Sequence, residues 1–152
     1  MKTLQENKFY QENYKITLQS NFLDITVDNA KVGITLQTDI FKPNEYYKLK
    51  ENVVSQLRIN SLYSRVNKEK PRAPKNLTRK MLCYGLLLLI KKGRIHSNNI
   101  ISLEADPSDN NNLINKVYIP MGFTLEAMDI ENEGGLMSAK VSTILNWCES
   151  SF

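Results

Sequence analysis

The segment from Leu77 to Lys92 limits the fold more than any other part of this sequence. Its apolar residues recur at helical spacing, Asn76 or Thr78 can cap its start, and Gly93 suits its end. Segments in which apolar and polar residues alternate come before and after it, as strands of a sheet do. A helix with an apolar stripe beside such strands predicts a mixed α/β, or α+β, fold in which helices flank the sheet.

Strand-like segments recur along the chain. Two of them flank the predicted turn from Asp28 to Ala30 and suggest an antiparallel hairpin, so the sheet is expected to be mixed and largely antiparallel. Pro43 followed by Glu45 favours another helix from Asn44 to Ser55. The predicted strands are Tyr14 to Leu18, Phe22 to Val27, Lys31 to Phe41, Leu57 to Val66, Ile100 to Ala105, Thr124 to Met128 and Leu136 to Leu145.

Composition bounds the class of protein. The 152 residues predict a single domain, 1–152, whose polar first 13 residues are expected to be flexible or loosely packed. A net charge of +4 suits solubility or an anionic ligand. Two cysteines without CxxC spacing favour a reducing compartment, and one histidine with two distant cysteines predicts no metal site. No apolar leader or membrane span is recognised, which predicts a soluble, cytoplasmic protein.

The segment Ile100 to Phe123 carries the most particular functional signal. A buried strand stops at Asp106-Pro107-Ser108-Asp109, and a short helix follows. Gly122 stands where a left-handed residue is expected at the end of that helix, just before a new strand. Earlier in the chain, the alternation of the Leu57 strand slips near Ser61-Leu62, which suggests a bulge or a splayed strand end.

Taken together, these elements resemble part of the GNAT family of N-acetyltransferases. The resemblance covers roughly Leu57 to Leu145 and follows the order strand, basic loop, helix, strand, short helix, glycine. The family's N-x-x-A-x-x-L-Y-x-x-L-G-F segment is similar to the run that begins at Asn111, with Tyr118, Gly122 and Phe123 in register. The resemblance implies an acetyl-CoA-dependent N-acyltransferase that transfers the acetyl group directly to a primary amine of a small molecule or a protein.

Physical reasoning assigns roles to the residues of such a site. The start of the Leu77 helix offers backbone N–H groups to a diphosphate, basic side chains add charge, and the splayed strand can pair with the pantetheine arm. A phenol can protonate the leaving thiolate, and a carboxylate can deprotonate the amine. The catalytic candidates are Tyr118 and Glu104; the cofactor-binding candidates are Leu62, Tyr63, Ser64, Arg72, Lys75, Asn76, Leu77, Thr78 and Asn111.

The phosphate loop departs from the family's pattern. Lys75 and Leu77 stand where the family has a glycine and a second small residue, which let the backbone approach phosphate closely. Pro120 is also unexpected so near the end of a helix. These departures favour an alternative, a GNAT-like fold that has lost catalysis and acts as a binding or structural protein. A basic adaptor for nucleic acid is weaker, because aromatic residues do not interleave with the basic ones.

Each candidate also has a structural interpretation. Tyr118 can be a half-buried packing residue, and Glu104 can lie on the wet face of its strand. The basic loop, Asn67 to Lys75, can be a solvated surface. His96 is expected to be exposed, and Cys83 is expected to be a core residue rather than a nucleophile. The sequence leaves the acceptor amine and the formation of a homodimer open.

Overall fold

The computed structural model describes residues 9, 14–27, 32–40, 54–64, 77–105, 114–128 and 135–152. Over these residues the chain has an α+β fold with three α-helices and a seven-stranded, mostly antiparallel sheet, in the strand order β1-β2-β3-β4-β5-β7-β6. This confirms the predicted fold class at that level. The elements are β1 (Lys15–Leu18), β2 (Phe22–Val27), β3 (Val32–Gln37), β4 (Leu57–Ser64), α1 (Leu77–Lys91), β5 (Ile100–Ala105), a π turn (Ile114–Tyr118), α2 (Ile119–Met121), β6 (Thr124–Met128), β7 (Gly135–Lys140) and α3 (Val141–Ser151).

The chain divides into two compact units. Unit 1 comprises Met1–Thr38 and Ile59–Ile95, and unit 2 comprises Asp39–Arg58 and His96–Phe152. The single domain expected from the chain length stays a prediction. No helix among the described residues is long and apolar enough to cross a membrane.

In unit 1, α1 packs on the antiparallel strands β2 and β3. The inward face of these strands is fully buried and includes Leu23, Ile25 and Leu36. Gly85 lets the helix approach closely, because a Cβ atom there would lie 2.9 Å from Leu36 Cδ1. The alternation of β2 and β3 is as predicted, but α1 is buried on every side from Met81 to Leu89 and not along one apolar stripe only.

The predicted glycine stop of α1 is confirmed. Gly93 has φ +70°, and its N–H donates to the carbonyl of Ile90. The N–H of Arg94 donates to the carbonyl of Leu89, so both bonds of a Schellman motif close the helix.

In unit 2, β7 pairs in antiparallel fashion with both β5 and β6. The pairing of β6 with β7 shifts between Leu125 and Ala127, which leaves Glu126 as the extra residue of a β-bulge. β6 is otherwise bounded as the sequence predicts.

The predicted closing strand from Leu136 to Leu145 is wrong in its second half. β7 ends at Lys140, and α3 continues from Val141 to Ser151. Val141, Ile144, Leu145 and Cys148 are buried and recur at helical spacing, so burial of one helix stripe decides the structure here.

Two further expectations meet the structure only in part. The predicted helix from Asn44 to Ser55 lies mostly outside the described residues, and its last residue, Ser55, lies in an isolated β-bridge rather than a helix. Cys83 is buried, as expected for a core residue, and Cys148 is buried as well, but both are disulfide-bonded. Neither therefore carries the thiol that a reducing compartment would favour.

Candidate functional site

The segment around Tyr118 in unit 2 is built as a helix end. The N–H of Phe123 donates to the carbonyl of Tyr118 at 3.1 Å, and the N–H of Gly122 donates to the carbonyl of Ile119 at 3.0 Å. These two bonds form a Schellman motif. In this motif, the side chains of the two residues joined by the longer-range bond often make an apolar contact. Here that contact is aromatic, because the rings of Tyr118 and Phe123 meet edge to face at 6.1 Å.

A π turn precedes this helix end. Residues Ile114–Tyr118 form it, and α2 continues through Pro120 instead of stopping before it. Proline cannot donate to the carbonyl one α-turn earlier, and its ring collides with that carbonyl in a regular α-helix. The wider π turn relieves this conflict, and π turns occur often at functional sites. The sequence predicted the helix and its glycine, but not the π turn.

Gly122 also brings this segment against α3. Its φ is +115°, and a Cβ atom built there would lie 2.5 Å from Thr143 Cγ2. Both the backbone conformation and the space therefore require glycine. Tyr118 itself is half-buried, so its ring is held by packing while the side chain keeps some access to solvent.

Glu104 lies on a polar face of the unit 2 sheet. Ser102 is two residues before it on β5 and is directly opposite Ser138 on β7, so these three side chains share a face. Both serines are buried, whereas Glu104 is exposed. The polar face therefore opens to solvent at Glu104.

Hydrogen bonds tie the buried hydroxyls of this polar face to their neighbours. The Oγ atoms of Ser55 and Ser102 lie 2.7 Å apart, and either hydroxyl can donate. The hydroxyl of Ser138 donates to Glu126 Oε1 at 2.5 Å. Glu126 follows Thr124 by two residues, and Thr124 is directly opposite Ser138, so the side chains of Glu126 and Ser138 lie on one face of the sheet. Sequence reasoning missed Ser138 and Glu126, and the alternation of β7 was the signal that could have placed the serine.

The start of α1 in unit 1 holds the described cofactor-binding candidates. Leu77 is only 3% exposed, so its side chain belongs to the interior and only its backbone N–H could serve a ligand. Thr78, Arg79 and Lys80 are half-buried, and the first turn contains no acidic residue. A helix start with basic and without acidic residues favours an anion.

The other cofactor-binding candidates are not described at the level of their side chains. Leu62, Tyr63 and Ser64 belong to β4, for which only the backbone is described there. The remaining four lie outside the described residues: Arg72, Lys75, Asn76 and Asn111.

His96 is exposed, and its backbone N–H donates to Asn99 Oδ1. Within the described residues, no cluster of three or more histidine, cysteine or acidic side chains could hold a metal ion.

Comparison with known proteins gives no match: no protein-family model, no curated protein and no solved structure matches the chain. Any assignment of function therefore depends on the residues and the geometry of the two units.

Proposed function

We propose that the chain is an N-acyltransferase that moves an acetyl group from acetyl-CoA to a primary amine by direct attack. The observation that carries this proposal is the segment from the π turn to Phe123, where the residue types that resemble the GNAT segment occupy a defined helix end. The order of β4, α1, β5, the short helix and β6 along the chain supports it.

In this reaction the amine nitrogen attacks the thioester carbonyl, the carbon–sulfur bond breaks, and the thiolate takes a proton. Tyr118 is the proposed acid, because a phenol and a thiol ordinarily have pKa values near 10 and 8.5, close enough for efficient transfer. Its ring is fixed against Phe123, and this edge-to-face contact does not require the hydroxyl.

The amine must lose a proton before or during attack. Glu104 is the proposed base, since it lies where the polar face of the unit 2 sheet opens to solvent.

The diphosphate of acetyl-CoA is assigned to the start of α1. Backbone N–H groups of the first turn would hold it, and Arg79 and Lys80 would add positive charge. Because the side chain of Leu77 is buried, only its backbone N–H could contact the diphosphate. The other proposed cofactor-binding residues are Arg72, Lys75, Asn76, Thr78, Asn111 and the backbone of Leu62, Tyr63 and Ser64. Homodimer formation and a cytoplasmic location stay predictions from the sequence.

One observation favours the second candidate, a GNAT-like binding or structural protein. The Schellman motif and the contact between Tyr118 and Phe123 give this segment a structural purpose even without catalysis.

Ligand binding and catalysis are tested separately. Acetyl-CoA and CoA should raise the melting temperature, because a ligand bound only to the native state stabilises it. No shift at millimolar ligand would exclude the acyltransferase and leave the second candidate. Where binding is found, CoA release with a panel of amines measures turnover.

Tyr118→Phe keeps the ring contact and removes only the phenolic oxygen. We expect turnover to fall by about 100-fold or more, with the affinity for acetyl-CoA unchanged. Tyr84→Phe, which removes a phenolic oxygen from a buried tyrosine of α1, is the matched control and should keep full turnover. Full turnover in the Tyr118 variant would show that this phenol is not the acid.

A further inference from the structure

A pocket of about 330 Å³ lies on the outer face of the β2–β3 hairpin in unit 1. Its walls are Phe22 and Asp24 on β2, Thr35 and Gln37 on β3, and Asn21 just before β2. The strand register sets Phe22 opposite Gln37 and Asp24 opposite Thr35, so these side chains share one face. The opposite face of the same strands is the buried face that packs on α1.

This face differs from an ordinary wet strand face. Its strand residues are half-buried, whereas Lys15, Ile16 and Thr17 of the adjacent strand β1 are exposed. The size of the pocket is at the lower end of the range for small-molecule sites, about 300 to 1,000 Å³. Partial burial of a carboxylate is unfavourable unless hydrogen bonds or an opposite charge compensate it.

Asp24 is held in one orientation. The hydroxyl of Thr35 donates to Asp24 Oδ1 at 2.6 Å, so that oxygen has a fixed partner across the strand pair. This hydrogen bond preorganises the carboxylate for a ligand.

The rim of the pocket is also fixed by backbone hydrogen bonds. The carbonyl of Asn21 accepts the N–H of Thr38 at 2.8 Å, and the carbonyl of Phe22 accepts the N–H of Gln19 at 2.9 Å. These bonds hold the backbone of the rim in place, which lowers the cost of ordering it when a ligand binds.

The chemistry of the walls selects the charge of the ligand. A carboxylate repels an anion, and a neutral ligand would leave its charge uncompensated. An aromatic ring beside a carboxylate favours an ammonium group, which interacts with the face of the ring and with the negative charge. The side-chain carbonyls of Asn21 and Gln37 can accept its remaining N–H groups.

The geometry points to a binding site for a small alkylammonium compound in this pocket, with Asp24 as the counter-ion and Phe22 as the aromatic contact. This inference does not depend on acyl transfer, because it uses only residues of the hairpin.

The test is an NMR titration of the wild-type protein with 1,4-diaminobutane at neutral pH. We expect saturable shifts of the backbone amides at 21–24 and 35–37, and no such shifts with 1,4-butanediol, which has a similar shape but no charge. Shifts that map elsewhere, equal binding of the diol, or no saturation at about 10 mM diamine would overturn the assignment.

Variants test the two main contacts. Asp24→Asn keeps an oxygen for the hydroxyl of Thr35 and removes the charge, so the affinity should fall by about tenfold or more. Phe22→Leu should weaken binding roughly two- to fivefold. Glu149→Gln makes the same change of charge on the exposed side of α3 and should bind the diamine as the wild type does. An equal loss in the Asp24 and Glu149 variants would reduce the effect to net charge and refute the site. The positions of the shifted amides in the wild-type protein test the site even where a variant fails to fold.

Discussion

Gly122 should be one of the least replaceable residues of unit 2. Substitution by alanine places a Cβ atom 2.5 Å from Thr143 Cγ2 and forces a non-glycine residue to φ +115°. The backbone strain costs about 1 to 3 kcal/mol. The overlap adds roughly 1 to 3 kcal/mol, because threonine is stiff about χ1, although its exposure on α3 lets it move in part.

Alanine also reduces the entropy of the unfolded chain, which offsets roughly 0.4 to 1 kcal/mol of this cost. These contributions combine to a net loss of about 1 to 5 kcal/mol, centred near 3, in the free energy of unfolding of Gly122→Ala. Urea denaturation followed by far-ultraviolet circular dichroism measures it.

Gly93→Ala is the matched control. Gly93 also has a positive φ, +70°, but nothing lies within 4 Å of the Cβ position. Only the left-handed strain applies there, about 1 to 2 kcal/mol before the same entropic offset. Gly93→Ala should therefore cost roughly 1 kcal/mol or less, clearly below the cost at Gly122.

A double-mutant cycle separates strain from overlap. Thr143→Ser removes Cγ2 and leaves the Thr143 Cβ position, which is 3.7 Å from the new methyl group and thus in ordinary contact. This change alone should alter stability by less than about 0.5 kcal/mol, because the residue is exposed. In the Gly122→Ala background it should recover about 1 kcal/mol or more. Equal costs at Gly122 and Gly93, together with no recovery in the double variant, would refute the close approach of α3.

Three further predictions concern other parts of the fold. Burial, with a smaller contribution from the neighbouring Tyr84, raises the pKa of Tyr14 to about 12. The native state therefore keeps the phenolic proton of Tyr14 at a pH near 10, where the unfolded chain loses it. Stability should fall as pH rises from about 10 to 12, and Tyr14→Phe should lose this part of the pH dependence in denaturation curves. Gly85→Val should cost about 1 to 3 kcal/mol in urea denaturation, since even a Cβ atom there meets Leu36 at 2.9 Å; a stable valine variant would contradict the packing of α1 on β3. Alkylation in denaturant should label neither cysteine without reductant and should label both after reduction, as mass spectrometry would show.

The sequence predicts much of the fold because its strands are short and well separated by turn residues. β2, β5 and β6 begin and end where alternation and composition place them, and α1 differs by a single residue at its end. In each case the local signal and the buried face agree.

The start of α3 could not be predicted because the groups that cap it come from a segment distant in the sequence. Lys140 precedes the helix and makes no capping hydrogen bond with its side chain. The first N–H groups of α3 are satisfied instead by the loop after α1, where Val141 donates to the carbonyl of Asn99 and Ser142 to that of Ser97. A helix that begins in this way does not need serine, threonine, aspartate or asparagine at its N-cap, so the sequence carries no local signal for it.

The polar face of unit 2 was missed for a similar reason. Ser138 and Glu126 come together through the register of β6 on β7, in which Thr124 is opposite Ser138. A shift of one residue would turn either side chain to the other face. Because no local pattern specifies which strands pair or in which register, sequence reasoning found Glu104 on its strand but did not bring Ser138 and Glu126 beside it.

The Tyr118 segment has a structural role that does not depend on catalysis. Gly122 is required by its φ and by Thr143, and the ring of Tyr118 is required by its contact with Phe123 across the Schellman motif. A chain could therefore keep this spacing for the sake of the helix end alone, so the spacing supports a fold more strongly than a reaction. Phenylalanine at this position would keep the ring that contacts Phe123 and remove only the phenolic oxygen. For that reason, replacing Tyr118 by phenylalanine isolates the chemical role, whereas replacing it by leucine or alanine would disturb the fold and the chemistry together.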